Sequence, residues 1–180
     1  MSQVSAETSI EQIAALISTA LEEAGVEAIL SGGGAVTLYS SSQYMSKDLD
    51  FVTSERNSKI VPILEPFGFE LQGRQFIHPE ARYFIEFPPG PLAFGDRYVE
   101  GSETTLLKTD WGNIRIITPT QSVMDRITWF VHGNDAQSRA QAILVARHQE
   151  INWEAIYEWA ENDGIDVSVI EAIERQAASS

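Results

Sequence analysis

Apolar residues recur at helical spacing near the start of the chain. Ile10, Ile13, Ile17 and Leu21 share one face, with Leu16 and Ala20 one turn out of step. Ser9 ahead of them and Gln12 three places on form a capping-box signature, and Gly25 supplies a stop, so a helix is predicted from about Ser9 to Gly25. The pattern then shifts to short extended runs. Residues 26–30 read as a strand entering Gly32, Gly33 and Gly34, and residues 35–39 as the short helix those glycines open. Residues 40–47 are polar connection, 48–53 a second strand, and 58–66 a surface helix with Pro62 near its first turn and Gly68 beyond its end. Residues 69–77 and 82–87 are expected as strands separated by His78-Pro79-Glu80-Ala81. Residues 104–109 should pair with 114–118 across Asp110-Trp111-Gly112-Asn113.

After Thr118-Pro119 the periodicity becomes helical and stays so, which divides the chain into residues 1–117 and a helical subdomain of residues 118–180. Thr118 is the expected N-cap, with Pro119 at the first helical position, of a helix through about Val131. Further helices are expected over 136–148, 153–160 and 167–177. Trp129, Phe130, Trp153, Tyr157 and Trp159 recur at helical spacing and are expected to pack this tail onto the sheet. The acidic run Glu150, Glu154, Glu158, Glu161 and Asp163 reads as a solvated face.

The 180 residues suffice for one substantial core. Cysteine is absent, which excludes thiol-nucleophile, redox and thiolate-zinc chemistry and fits a reducing cytoplasm, the expected location. The N-terminal stretch lacks a basic start and is not read as a signal peptide; no run is long enough for a membrane span, so no membrane partner is expected. The net charge of −14, from 26 acidic and 12 basic residues, disfavours extended contact with a nucleic-acid backbone and makes any anionic substrate depend on a local basic patch. Three dispersed histidines give no zinc-like spacing, and His132-Gly133-Asn134-Asp135 is better explained as helix termination.

Chemistry concentrates between Ser31 and Val52. Glycines at 32–34 permit close backbone approach and positive φ, and the helix they open directs unsatisfied N–H groups outward, an arrangement suited to phosphate. In Asp48-Leu49-Asp50-Phe51-Val52 the strand period puts both carboxylates on one face and Leu49 and Phe51 on the other. Two carboxylates side by side repel by roughly 4 kcal/mol at ~4 Å and an effective dielectric of about 20, so a divalent cation makes sense of the pair. Together these features suggest a nucleotide. Glu86, in the otherwise apolar Tyr83-Phe84-Ile85-Glu86-Phe87, needs a partner. A metal held by Asp48 and Asp50 is one; Arg82 or Arg115 in a structural ion pair is another.

Gly32 to Gly34, Asp48, Asp50 and Glu86 resemble, in order and spacing, the motif set of the nucleotidyltransferase superfamily. That fold is shared by the DNA polymerase beta palm, the minimal nucleotidyltransferases and AbiEii-like toxin enzymes. Thr118-Pro119 and Arg126 match the start of the helical region and its basic residue in AbiEii-like members. The resemblance covers about residues 26–160 and is strongest over 31–52. It implies an α+β fold, a small mixed or antiparallel sheet with helices packed on it and a C-terminal helical subdomain. It also implies Mg²⁺-dependent transfer of a nucleoside monophosphate from a nucleoside triphosphate (NTP) to an acceptor hydroxyl. On that resemblance Asp48 and Asp50 would bridge two Mg²⁺ ions and Glu86 would complete the ion that activates the hydroxyl. The glycine N–H groups with the Ser31 hydroxyl would hold the outgoing phosphates, and Lys47 or Arg126 would offset developing charge. The acceptor is open among protein, small molecule and RNA, with the charge arguing against tRNA. A toxin role with a cognate antitoxin follows from the AbiEii-like similarity alone. Many relatives place an arginine four residues before the first aspartate, where this chain has Tyr44. A catalytically inactive binding or regulatory module is therefore the second expectation, and the position of Glu86 relative to Asp48 and Asp50 discriminates between the two.

Overall fold

The computed structural model describes residues 4–179. Ser9 caps helix α1 (Ile10–Glu23) in a reciprocal capping box with Gln12, and Gly25 leaves it at φ +69°. Strand β1 (Ile29–Ser31) runs directly into α2 (Gly32–Tyr39), and β2 (Asp48–Val52) follows. Then come α3 (Asn57–Leu64), the hairpin β3 (Glu70–Gln72) and β4 (Gln75–Ile77), and β5 (Phe84–Glu86). A small ribbon of β6 (Ala93–Phe94) and β7 (Arg97–Tyr98) precedes the hairpin β8 (Thr105–Thr109) and β9 (Gly112–Ile116). Four helices complete the chain: α4 (Pro119–His132), α5 (Ala136–His148), α6 (Trp153–Asn162) and α7 (Val167–Ala178).

The architecture is α+β. Seven strands form one mixed sheet in the order β3-β4-β5-β2-β1-β9-β8. The β2–β5 and β1–β9 pairs are parallel and the rest antiparallel. Register determines what each lateral row of side chains becomes. Phe76, Ile85 and Leu49 are paired across β4, β5 and β2, and all three are fully buried. The next row, Gln75, Glu86, Asp50 and Ser31, crosses four strands and is polar throughout. Helix α1 packs along β9, where the Ser18 hydroxyl accepts from the Arg115 N–H at 2.9 Å. Helix α2 packs against α4 and α5; Tyr39 Oη donates to the Ile117 carbonyl at 2.6 Å, and Gln149 Nε2 donates to the Tyr39 carbonyl at 2.9 Å.

Several local expectations need correction. The glycines are themselves the first turn of α2 rather than a loop before it, and the strand ahead is Ile29–Ser31, not 26–30. Residues 69–77 are two strands, because Gly73 at φ +65° reverses the chain. Pro62 lies in the second turn of α3. The β8–β9 turn is tighter than expected, since Thr109 already pairs with Gly112. Among the aromatics of the tail, Trp159 is buried and donates to the Phe94 carbonyl at 3.2 Å, but Trp129 is 54% exposed.

Candidate active site

The polar row and the start of α2 open onto one cavity of about 560 Å³. Ser31, Gly32, Gly33, Asp48, Asp50, Glu86 and Arg126 all line it, so seven of the nine residues expected from sequence share one site. Gly34 and Lys47 do not. Gly34 faces the core, where a Cβ would stand 3.0 Å from Leu49 Cδ2 and 3.2 Å from Leu30 Cδ1. Lys47 is exposed, its carbonyl accepting from the Phe84 N–H at the start of β5.

Each carboxylate has its own support. Ser46 Oγ donates to Asp48 Oδ1 at 2.5 Å, and the Ser46 N–H is held by Thr37 Oγ1 at 2.9 Å, so α2 positions Asp48 through one serine. Glu86 Oε1 accepts from Gln75 Nε2 at 2.9 Å. Neither arginine proposed for it is there: Arg82 lies 3.6 Å from Glu7, and Arg115 lies 3.7 Å from Glu22. Asp50, between the other two, carries the strain. Burial first, then the charges of Asp48 and Glu86, push its carboxyl from the ordinary 3.8 to about 7, with Arg126 opposing.

The glycine turn is shaped around this acid. Gly32 has φ +62°, and a Cβ there would stand 2.7 Å from Asp50 Oδ2. A Cβ on Gly33 would lie 2.8 Å from Ser46 Oγ. No other residue fits the first position, and the second admits none without moving the serine that holds Asp48.

Two groups in the cavity were not read from the sequence. Asp125, in α4 and buried, accepts from the Gly32 N–H at 3.3 Å across 93 residues of chain, and its carboxylate also binds the Arg126 guanidinium at 2.7 Å. Trp129, one turn on, stands at the cavity wall, which also includes the apolar Pro88, Pro89, Pro91 and Leu92. The Asp-Arg pair in α4 was visible, yet only tertiary contact reveals that both side chains turn inward. Asp135, the N-cap of α5, also faces the cavity; the Ser138 hydroxyl at 2.7 Å holds its carboxyl below the usual carboxylate range.

Comparison with known proteins locates this arrangement. No family model matches the chain, and no curated protein matches it. The crystal structure of ANT(2″)-Ia in complex with adenylyl-2″-tobramycin superposes over 94% of this chain and 98% of that one, at 13% identity and a TM-score of 0.51. The solution structure of the antibiotic-resistance factor ANT(2″)-Ia aligns over 92% of this chain and 89% of that one, at 15% identity and a TM-score of 0.49. The chain shares the fold of the ANT(2″)-Ia crystal structure.

Within this fold the donor set can be weighed against Mg²⁺. The ligands available are carboxylate oxygens, the class a hard divalent cation takes, and Asp50, raised first by burial and then by the charges of Asp48 and Glu86, shares its face with both of those acids. Yet no three His, Asp or Glu side chains among the described residues stand as a ready-made metal cluster. Register places Asp48, Asp50 and Glu86 on one face, while Ser46 and Gln75 hold two of them by hydrogen bonds. Among the described residues that line the cavity, five are acidic and Arg126 alone is basic. No helix among the described residues is long and apolar enough to cross a membrane.

Proposed function

We propose that this protein is a nucleotidyltransferase that moves a nucleoside monophosphate from an NTP to a hydroxyl of a small cationic acceptor. One observation carries the reading: Ser31, Asp50 and Glu86 lie in register across three strands, with Asp48 on the same face, beside the glycine N-terminus of α2. Asp48, Asp50 and Glu86 would hold Mg²⁺, two ions in the reading that the family resemblance implies. When bound, Mg²⁺ neutralises phosphate charge and makes a nearby hydroxyl more acidic.

The chain's own groups supply the rest. The N–H groups that open α2, with Ser31 Oγ, are placed to hold the outgoing phosphates, and Arg126 is the cation available against the charge they gain. The acceptor oxygen forms a bond to the α-phosphorus as the bond from that phosphorus to the β-phosphate bridge oxygen breaks. The hydroxyl proton passes to the Glu86 carboxylate, and pyrophosphate departs. Trp129, Pro88, Pro89 and Pro91 supply apolar lining to the cavity, which suits the flat face of a base.

With Asp48, Asp50 and Glu86 assigned to Mg²⁺ and Asp125 bound to Arg126, Asp135 is the lining carboxylate left to meet a cationic acceptor such as an amino sugar, and the adenylyl-tobramycin complex of the structural neighbour is of that kind. The binding-module alternative rests on Tyr44, which lines the cavity where many relatives carry an arginine; against it, Glu86 is held by a neutral glutamine and neither Arg82 nor Arg115 pairs with it. The toxin role with an antitoxin partner is carried by the AbiEii-like resemblance alone.

The test is incubation with each α-labelled NTP and Mg²⁺ and a panel of aminoglycosides, polyamines, protein and RNA, alongside Asp48→Asn and Asp50→Asn. Label is expected on an amine-rich small molecule with the wild type only. A wild type that binds no Mg-NTP by calorimetry overturns the reading.

A further inference from the structure

Arg126 and Asp125 are neighbours in α4, where successive side chains ordinarily diverge. Here the guanidinium curls back: Nε and Nη2 both donate to Asp125 Oδ2, at 3.2 and 2.7 Å, while Nη1 donates to Gln141 Oε1 at 3.1 Å. The same Oδ2 accepts the Gly32 N–H at 3.3 Å. Both residues are 8% exposed. A buried ion pair is poor evidence for stability, since desolvation offsets most of its attraction. Its placement is more informative. One carboxylate oxygen collects a backbone N–H at the first turn of α2 and two guanidinium donors, the set of partners that a phosphate oxygen would seek in this cavity.

Resting on the nucleotidyltransferase reading above, we propose that Asp125 is an internal stand-in for a phosphate oxygen, and that polyphosphate binds by displacing it from Gly32 and Arg126. As the site stands, three of the five guanidinium N–H groups are engaged by Asp125 and Gln141, and the Gly32 N–H is engaged by Asp125. A phosphate oxygen that takes the Gly32 N–H and the inner edge of the guanidinium must therefore exchange with the carboxylate, while two guanidinium N–H groups remain for its other oxygens. Asp125 thus sets a threshold: ligands with a single weak anionic oxygen do not dislodge it, while a chain of phosphates does. It is a positioning and specificity residue, acting through Gly32 and Arg126.

The test uses Mg-pyrophosphate, which needs no knowledge of the base, titrated calorimetrically into wild type, Asp125→Asn and Asp135→Asn. Asp135 lines the same cavity without touching Gly32 or Arg126, so its variant measures the general effect of removing one negative charge. Asp125→Asn is expected to bind at least about ten-fold more tightly than wild type, equivalent to ~1.4 kcal/mol, and Asp135→Asn less than about three-fold. A second measurement needs no variant. In wild-type protein, pyrophosphate should shift the Gly32 amide and the Asp125 side-chain carboxyl resonances together. If wild type binds pyrophosphate and Asp125→Asn binds no tighter than Asp135→Asn, or if binding leaves the Gly32 amide unmoved, this proposal falls while the nucleotidyltransferase reading stands. If no form binds pyrophosphate or Mg-NTP, both fall.

Discussion

Asp50 and Glu86 occupy paired positions on the adjacent parallel strands β2 and β5. Side chains at paired positions stand on the same face, so the two acids are neighbours because of register rather than sequence proximity. Their repulsion is stored in the fold and should be measurable.

The first prediction concerns pH. Folded Asp50 keeps its proton up to about pH 7, whereas the unfolded chain loses it near 3.8. Between those values the folded state binds more protons, so the stability this group contributes is complete below pH 3.8 and is lost as pH rises through 7. The total is on the order of 4 kcal/mol. Asp50→Asn should therefore melt higher than wild type at pH 8, with the advantage shrinking toward pH 5. Millimolar Mg²⁺ should raise the wild-type melting temperature at pH 8, with the gain reversed by chelator and absent from Asp50→Asn.

The glycines should divide by what they touch. Gly32→Ala forces a Cβ at positive φ against Asp50, so both stability and transfer activity should fall, with at least ~1 kcal/mol lost from backbone strain alone. Gly34→Ala overpacks Leu49 and Leu30 and should cost about 1–3 kcal/mol of stability. Once folded, it should keep its nucleotide affinity. Chemical denaturation paired with calorimetry separates the two.

Trp129→Ala should leave the melting temperature nearly unchanged, because the side chain is half exposed. Its effect should fall on KM for the nucleotide, by an amount corresponding to about 1–3 kcal/mol of lost base stacking and similar for all four bases. An unaltered KM would remove Trp129 from the site.

Tyr39→Phe tests the joint between α2 and α4. The phenol is buried, which raises its pKa, and its loss would leave the Ile117 carbonyl without that donor. The expected cost is about 1–3 kcal/mol in urea unfolding. Nucleotide affinity should weaken as well, since the same helix carries the glycine turn.

Asp48, Asp50 and Glu86 were legible in the sequence because a two-residue period and the cost of a lone charge in an apolar strand are local facts. Gly32 and Gly33 were legible for the same reason. Asp125 was not, because its meaning depends on Gly32, a residue 93 positions away. Trp129 was misread because helical spacing is identical for a core aromatic and one lining a cavity beside the core. The run of residues 69–77 concealed a hairpin, since Gly73 interrupts a pattern that reads as one strand. The β6–β7 ribbon has only two residues per strand, too few for any periodicity to show.

The parallel pairing of β1 with β9 joins Leu30 to Ile116. A chain emerging from the ribosome thus exposes one edge of β1 until β9, more than 80 residues later, has been made, and α4 follows later still. Long-range closure of this kind is slow and leaves strand edges open to wrong partners. It also means that Gly32 and Arg126 are joined through Asp125 only once α4 has been made, so a chain lacking that helix has only half of the grip on a phosphate.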